Sequence, residues 1–168
     1  MLFRSIPLAV TITDYFGEDV YYNMITPRGK VLNYRTINHG ITEKDVIDQM
    51  DEYDNRRIVN DILTGAVVVG HNLSEQLLSL RVRLDILYGL RDLSNGKVFH
   101  LTGDKRASGR FALKMLALKY ENIILNHKPG RFAWREYLNA IRRVYLSRLP
   151  NWVDHVNPDE IAVTNVSN

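Results

Sequence analysis

The stretch GAVVVGHNLSEQLLSL, residues 65–80, does most to limit what this chain can fold into. The apolar run AVVV, closed by Gly70, has the continuous character of a strand buried on both faces rather than the alternation of a half-solvated one. A polar His71-Asn72 turn then hands the chain directly to a helix-forming run, LSEQLLSL. Such a strand needs neighbours on both edges and a layer above and below, which points to a layered α/β domain.

The rest of the sequence supplies those layers. LAVTIT (8–13) and DVYYNMI (19–25) are rich in β-branched and aromatic residues, and the YFGE between them reads as a hairpin turn. TPRGKVLNYRTINHG reads as irregular, punctuated by Pro27, Gly29 and Gly40. Thr42 with Asp45 three residues on has the form of a capping box. Val46, Met50, Ile58 and Ile62 give a broken stripe, predicting one helix followed by another. LDILYGLRDL predicts a further short strand ending near Asp92. Leu113, Leu116, Ala117 and Tyr120 predict an amphipathic helix over 107–120, and Trp134, Leu138, Ile141 and Tyr145 predict another over 133–147. Pro129-Gly130 separates the two.

At 168 residues the chain fits one domain, here drawn as residues 1–152, with a flexible tail over 153–168. The longest apolar runs are too short to span a bilayer, and the first ten residues lack the pattern of a secretory leader. The chain has no cysteine, so disulfides, thiol catalysis and cysteine-bound zinc are excluded. An intracellular location, nucleus or cytoplasm, is expected. Charge is unevenly spread: residues 80–148 carry 15 Lys and Arg against 5 Asp and Glu, whereas residues 1–79 carry 7 against 11. A basic half of that kind suits a surface that meets phosphate or an acidic protein, and it also suits well-solvated helix faces.

Several strings, in order, resemble the DEDD-type 3′–5′ exonucleases, in particular the small RNA exonucleases of the interferon-stimulated and ribosome-processing group. LAVTITDYFGEDVYYNMITP is similar to that family's second and third strands, and NYRTINHGIT to its Tyr-Arg-Thr…Ser-Gly-Ile-Thr signature. VVVGHNLSEQLLSL resembles the strand and helix of its second catalytic motif. LRDL, FALKMLALKY and AIRRVYLSRLPNW resemble the elements that follow, so that residues 8–152 are covered. The resemblance implies an RNase H-like fold, a mixed sheet flanked by helices. It also implies a reaction in which four carboxylates hold two metal ions ~4 Å apart, with a histidine as general base.

Measured against that pattern, the acids are missing. No Asp-x-Glu triplet occurs in the chain, and the seven residues before LAVTIT carry no acid, so the first, central strand is expected to be absent. Gln76 stands where the third acid belongs, and an amide supplies no charge to a hard divalent cation. Counting back from Tyr145 places Tyr137 at the last Asp and Phe132 at the His; taking His127 as the histidine instead puts Phe132 at the Asp. The expectation is therefore a chain that is not an enzyme. It would be a degenerate exonuclease-like domain, with no cofactor, no metal and no small-molecule substrate, that binds a protein partner or itself. A missing central strand would leave unpaired backbone to be filled by residues 1–7, a second copy or a donated strand. The alternative is a non-cleaving RNA-binding protein that uses the basic region, and the third reading is an active metal-dependent exonuclease. Nucleic-acid contacts would come from Arg35 and Thr36 of the YRT string, from His71, and from Arg110 and Lys114. Lys128, Arg131, Arg135, Arg142 and Arg143 would form a basic stripe on the last helix and its approach. Tyr15, Phe16, Tyr21 and Tyr22 read as hairpin and core packing.

Overall fold

Asp14 starts the first hairpin: its carboxylate Oδ1 accepts from the backbone N–H of Phe16 and of Glu18, both at 2.9 Å. Gly17, at φ +93, closes the turn in a conformation that side-chain-bearing residues avoid. Strands β1 (Ala9–Thr13) and β2 (Asp19–Thr26) therefore pair antiparallel, with a bulge between Ile12 and Thr13. The computed structural model describes residues 6–95, 111–125 and 133–149. The tail over 153–168 lies outside them, as do Arg110, Lys128, Arg131 and Phe132.

The segment expected to be irregular contains a short helix, α1 (Thr36–His39), bracketed by left-handed residues Arg35 and Gly40. The capping box then forms as anticipated: Asp45 Oδ2 accepts from the Thr42 backbone N–H at 2.8 Å at the start of α2 (Glu43–Val46). Strand β3 (Met50–Asp51) runs parallel to β2 and leads into α3 (Glu52–Leu63). The Asp51 carboxylate caps α3 by accepting from Tyr53 and Asp54 N–H. Strand β4 (Val67–Gly70), helix α4 (Leu73–Ser79) and strand β5 (Gly89–Asp92) follow, with β4 and β5 parallel. Helices α5 (Leu113–Glu121) and α6 (Ala133–Ser147) close the described chain. Among the described residues no helix is long and apolar enough to cross a membrane.

The result is a mixed α/β domain with two hydrophobic clusters. One gathers Val10, Ile25, Val59, Leu63, Leu73 and Leu77, joining β1 and β2 to α3 and α4. The other gathers Leu93, Phe111, Leu116, Ala117, Ala140 and Val144, joining α5 to α6. The strands do not form one sheet: β1-β2-β3 is one and β4-β5 another. This corrects the reading of AVVV as a strand buried on both faces, because Val67 is 41% exposed and Val68 and Val69 are only half-buried. The physical reason is that, among the described residues, β4 has a strand on one edge only, so its side chains lack neighbours on the other side.

Asn55 ties α3 to the hairpin sheet. It is buried to 1% exposure, its Oδ1 accepts from the Tyr21 hydroxyl at 2.8 Å, and its Nδ2 donates to the Asp51 carbonyl at 3.2 Å. Asn55→Ala leaves that hydroxyl only the weaker Met50 sulfur, at 3.7 Å, as acceptor and is expected to cost about 1–3 kcal/mol, read as a lower urea midpoint at unchanged slope. The Asp51 carboxyl is held below its ordinary value of 3.8, chiefly by the Asp54 N–H. A depressed folded-state pKa stabilises the fold above the unfolded value, and that stability is lost as pH falls through the lower folded-state value. The thermal midpoint of Asp51→Ala is therefore expected to lie below wild type at about pH 5 and above, the two converging in more acidic buffer.

Candidate nucleic-acid interface

The turn after β4 is held by one carboxylate. Asp92, at the end of β5, accepts from Asn72 N–H and Leu73 N–H through its two oxygens, both at 2.9 Å, and from Ser94 N–H at 2.8 Å. That arrangement lets Asn72 sit at φ 55 and stands in for the missing side-chain cap at the start of α4. It also places His71, whose Nε2 bonds the Phe111 carbonyl at 2.7 Å, stitching the turn to the segment that opens α5. Gln76, at the position of the expected acid, donates from Nε2 to the His71 carbonyl at 2.9 Å. Thr36 likewise acts on backbone, its Oγ1 donating to the Ile41 carbonyl at 2.8 Å, whereas Arg35 is exposed and only its backbone N–H is engaged, donating to Asn33 Oδ1 at 2.7 Å. These residues do not converge with the basic helix into one site.

Helix α6 does gather part of one. Its core face runs through Ala140 and Val144, both fully buried, with Tyr137, Ile141 and Tyr145 packed beside them. That corrects the stripe drawn through Trp134 and Leu138, which turn instead toward the β1–β2 hairpin. Ala140, a small residue that the stripe passed over, is the signal that would have set the phase. The Trp134 indole stacks on Tyr22 at 5.3 Å between centroids and 17° between planes, and its buried N–H has no acceptor among the described residues.

Between hairpin and helix lies a cavity of about 230 Å³ lined by Phe16, Asp19, Trp134, Arg135, Asn139 and Arg142, among others. Arg135 is committed: its Nη2 meets Asp19 Oδ2 at 2.5 Å, and its guanidinium lies 4.7 Å from the centre of the Trp134 ring. Arg142 is in no ion pair among the described residues, and its guanidinium lies where a Cβ on Gly17 would come within 3.2 Å of Nε. Glycine at 17 thus serves both the turn and the seat of Arg142. Arg143 faces elsewhere, bonding Glu121 of α5 through Nε at 3.1 Å. Lys114 is exposed on α5. The hairpin aromatics are corrected too: Tyr15 is 59% and Phe16 75% exposed, edge to face at 5.4 Å, rather than packed in a core.

No protein-family profile matches the chain. It is 30% identical over 155 residues to RNA exonuclease 4 of Xenopus laevis, covering 89% of this chain and 34% of that protein. To RNA exonuclease 4 of Xenopus tropicalis it is 28% identical over 167 residues, covering 96% and 37%. The fold matches the Neurospora crassa Pan2 catalytic unit (protease and nuclease domain) at a TM-score of 0.68 and 14% identity, over 96% of this chain and 27% of that one. In sequence and in fold the chain is similar to the DEDD-type exonucleases. Its fold is the RNase H-like α/β fold of that family, and the chain spans about a third of the length of the curated relatives it matches.

These likenesses overturn the expectation that the chain is not an enzyme, since relatives from several organisms bear the name RNA exonuclease 4 and the fold is that of a nuclease domain. The expectation rested on counting acids against the family pattern over a third of the relatives' length, and such a count is not a measure of activity. The count stands as a statement about donors. Among the described residues no three His, Asp or Glu side chains are placed to hold a metal ion, Gln76 is engaged with backbone, and Tyr137 is packed in the core. The described side chains therefore do not fit a two-metal centre.

The Asp92 carboxylate is the most demanding polar contact of this region. Asp92→Ala strands three backbone N–H groups and is expected to destabilise the fold by about 1–3 kcal/mol, with a fall of several degrees in Tm. Amide exchange should rise first in α4 rather than in α6.

Proposed function

We propose that this chain is an RNA-handling exonuclease domain that captures single-stranded RNA in the cleft between the β1–β2 hairpin and α6. One observation carries the proposal: the cleft sets an exposed aromatic ring, Phe16, beside the Arg142 guanidinium, which is in no ion pair among the described residues. Bases stack on an exposed ring whatever their identity, while phosphates take the guanidinium. RNA as the ligand is supported by the names of the relatives, and the exonuclease reading by sequence and fold together. The residues described here are given the capture of RNA, and no hydrolytic step is placed on them.

The test is fluorescence anisotropy of a 3′-labelled single-stranded RNA in magnesium, across salt, with the same samples followed on a sequencing gel. Binding that weakens steeply with salt is expected, and Arg142→Ala should flatten the log–log salt slope by about 0.7. Phe16→Ala should weaken binding by about 1–3 kcal/mol with the slope unchanged. Affinity that ignores both substitutions would move RNA away from this cleft, and no affinity at low salt would end the proposal.

A further inference from the structure

The cleft between hairpin and α6 holds two guanidiniums, and the two are in different states. Arg135 and Arg142 line it about two turns apart on one face of the helix. Arg142 rests over the hairpin turn and is in no ion pair among the described residues. Arg135 meets Asp19, the first residue of β2, at 2.5 Å. Asp19 is the one carboxylate among the described residues that line the cleft, and Arg135 is the side chain it engages there. An acid set in an otherwise basic recess, on the very cation a phosphate would seek, stands where a ligand's own charge would stand.

Three observations make that pair replaceable. It is made through a single hydrogen bond, Nη2 to Oδ2, whereas Arg83 meets Asp85 through both Nε and Nη2. Both side chains stay open to water, Arg135 at 59% and Asp19 at 31%, so their attraction is screened and weak. The guanidinium also has a second support: it lies 4.7 Å from the centre of the Trp134 ring, which is itself stacked on Tyr22. Losing Asp19 therefore leaves Arg135 aimed into the cleft rather than free to swing away. A phosphate carries the charge of the carboxylate and takes guanidinium N–H groups in pairs, so it can displace a partner held by one bond.

We propose that Arg135 is a second phosphate subsite of the cleft, kept occupied by Asp19 as a built-in competitor; this rests on the reading of the cleft as the place of RNA capture. A strand that displaces Asp19 engages Arg135 and Arg142 together, so the cleft favours a chain of phosphates over a single nucleotide. The experiment measures binding of a labelled single-stranded RNA, and separately of short-chain polyphosphate, across salt. The proteins compared are wild type, Asp19→Asn, Glu18→Gln and the double variant Asp19→Asn with Arg135→Gln, each with its Tm as a check of folding. Glu18 is exposed, lies outside the cleft lining and carries the same charge one residue away, so its variant reports the general effect of losing one negative charge. Asp19→Asn is expected to tighten RNA by about two- to fivefold at low salt, the scale of an exposed ion pair. It should also steepen the log–log salt slope by about 0.7, one further phosphate contact. Both effects should vanish in the double variant, and the steeper slope should be absent from Glu18→Gln. A gain that survives loss of Arg135, or appears in full in Glu18→Gln, would overturn the proposal, and so would an Asp19→Asn protein that binds neither probe more tightly than wild type. If polyphosphate shows the Arg135-dependent gain while RNA fails to bind, the subsite stands and the RNA reading falls.

Discussion

Among the described residues strand β4 has a hydrogen-bonded neighbour on one edge only, and most of what is unusual in the described domain follows from that. Three valines in a row make sense in the middle of a sheet, where both faces are covered and both edges are paired. Here β5 supplies one edge and nothing described supplies the other, so Val67 stands 41% exposed. The chain stays together because the two sheets share side-chain packing in place of backbone bonds: Val10 from one and Val68 from the other lie in a single cluster with Leu73 and Leu77. Apolar contact is non-directional and tolerates the gap, whereas a hydrogen-bonded ladder would not.

Around that gap, polar side chains do work that a continuous sheet would otherwise do. Asp92 receives three backbone N–H groups and so fixes where β4 turns into α4, and His71 and Gln76 then join the same turn to the neighbouring segment. Asn55 does the equivalent between α3 and the hairpin. Both are side chains with several donors or acceptors placed where more than one backbone element must be satisfied at once. In this chain His71 and Gln76, nearest the expected catalytic motif, are thus engaged with backbone, and the cation that lines the cleft without an ion pair among the described residues is Arg142 of α6.

How much of this could be read from the sequence depended on whether the deciding contacts were local. The hairpin, the capping box at Thr42 and Asp45, and the existence of β4, α4, β5, α5 and α6 were all legible, because each is written within a few residues. The phase of α6 was not, since Trp134 and Leu138 are apolar enough to belong to a core stripe and only the hairpin, more than a hundred residues earlier, turns them aside. Nor was the division of the basic stripe. Arg135 and Arg142 share the cleft, but Asp19 engages the first and Glu121 engages the adjacent Arg143, both across long sequence separations. Net charge told where cations are plentiful and nothing about which of them are free. The likeness to the family was legible because several ordered strings were compared at once. The inference from missing acids to missing activity failed because it turned a chemical inventory into a statement about function.

Thr13, at the end of β1, lines the cavity against α6, so the cleft depends on how that strand is held. Among the described residues β2 is the strand that pairs with β1, and their register shifts between Ile12 and Thr13, next to the hairpin tip. The tip carries Phe16 and Gly17, the ring and the seat on which Arg142 depends. A ligand held in the cleft must order that exposed tip as well as itself, and the entropy so lost is set against the contacts it makes.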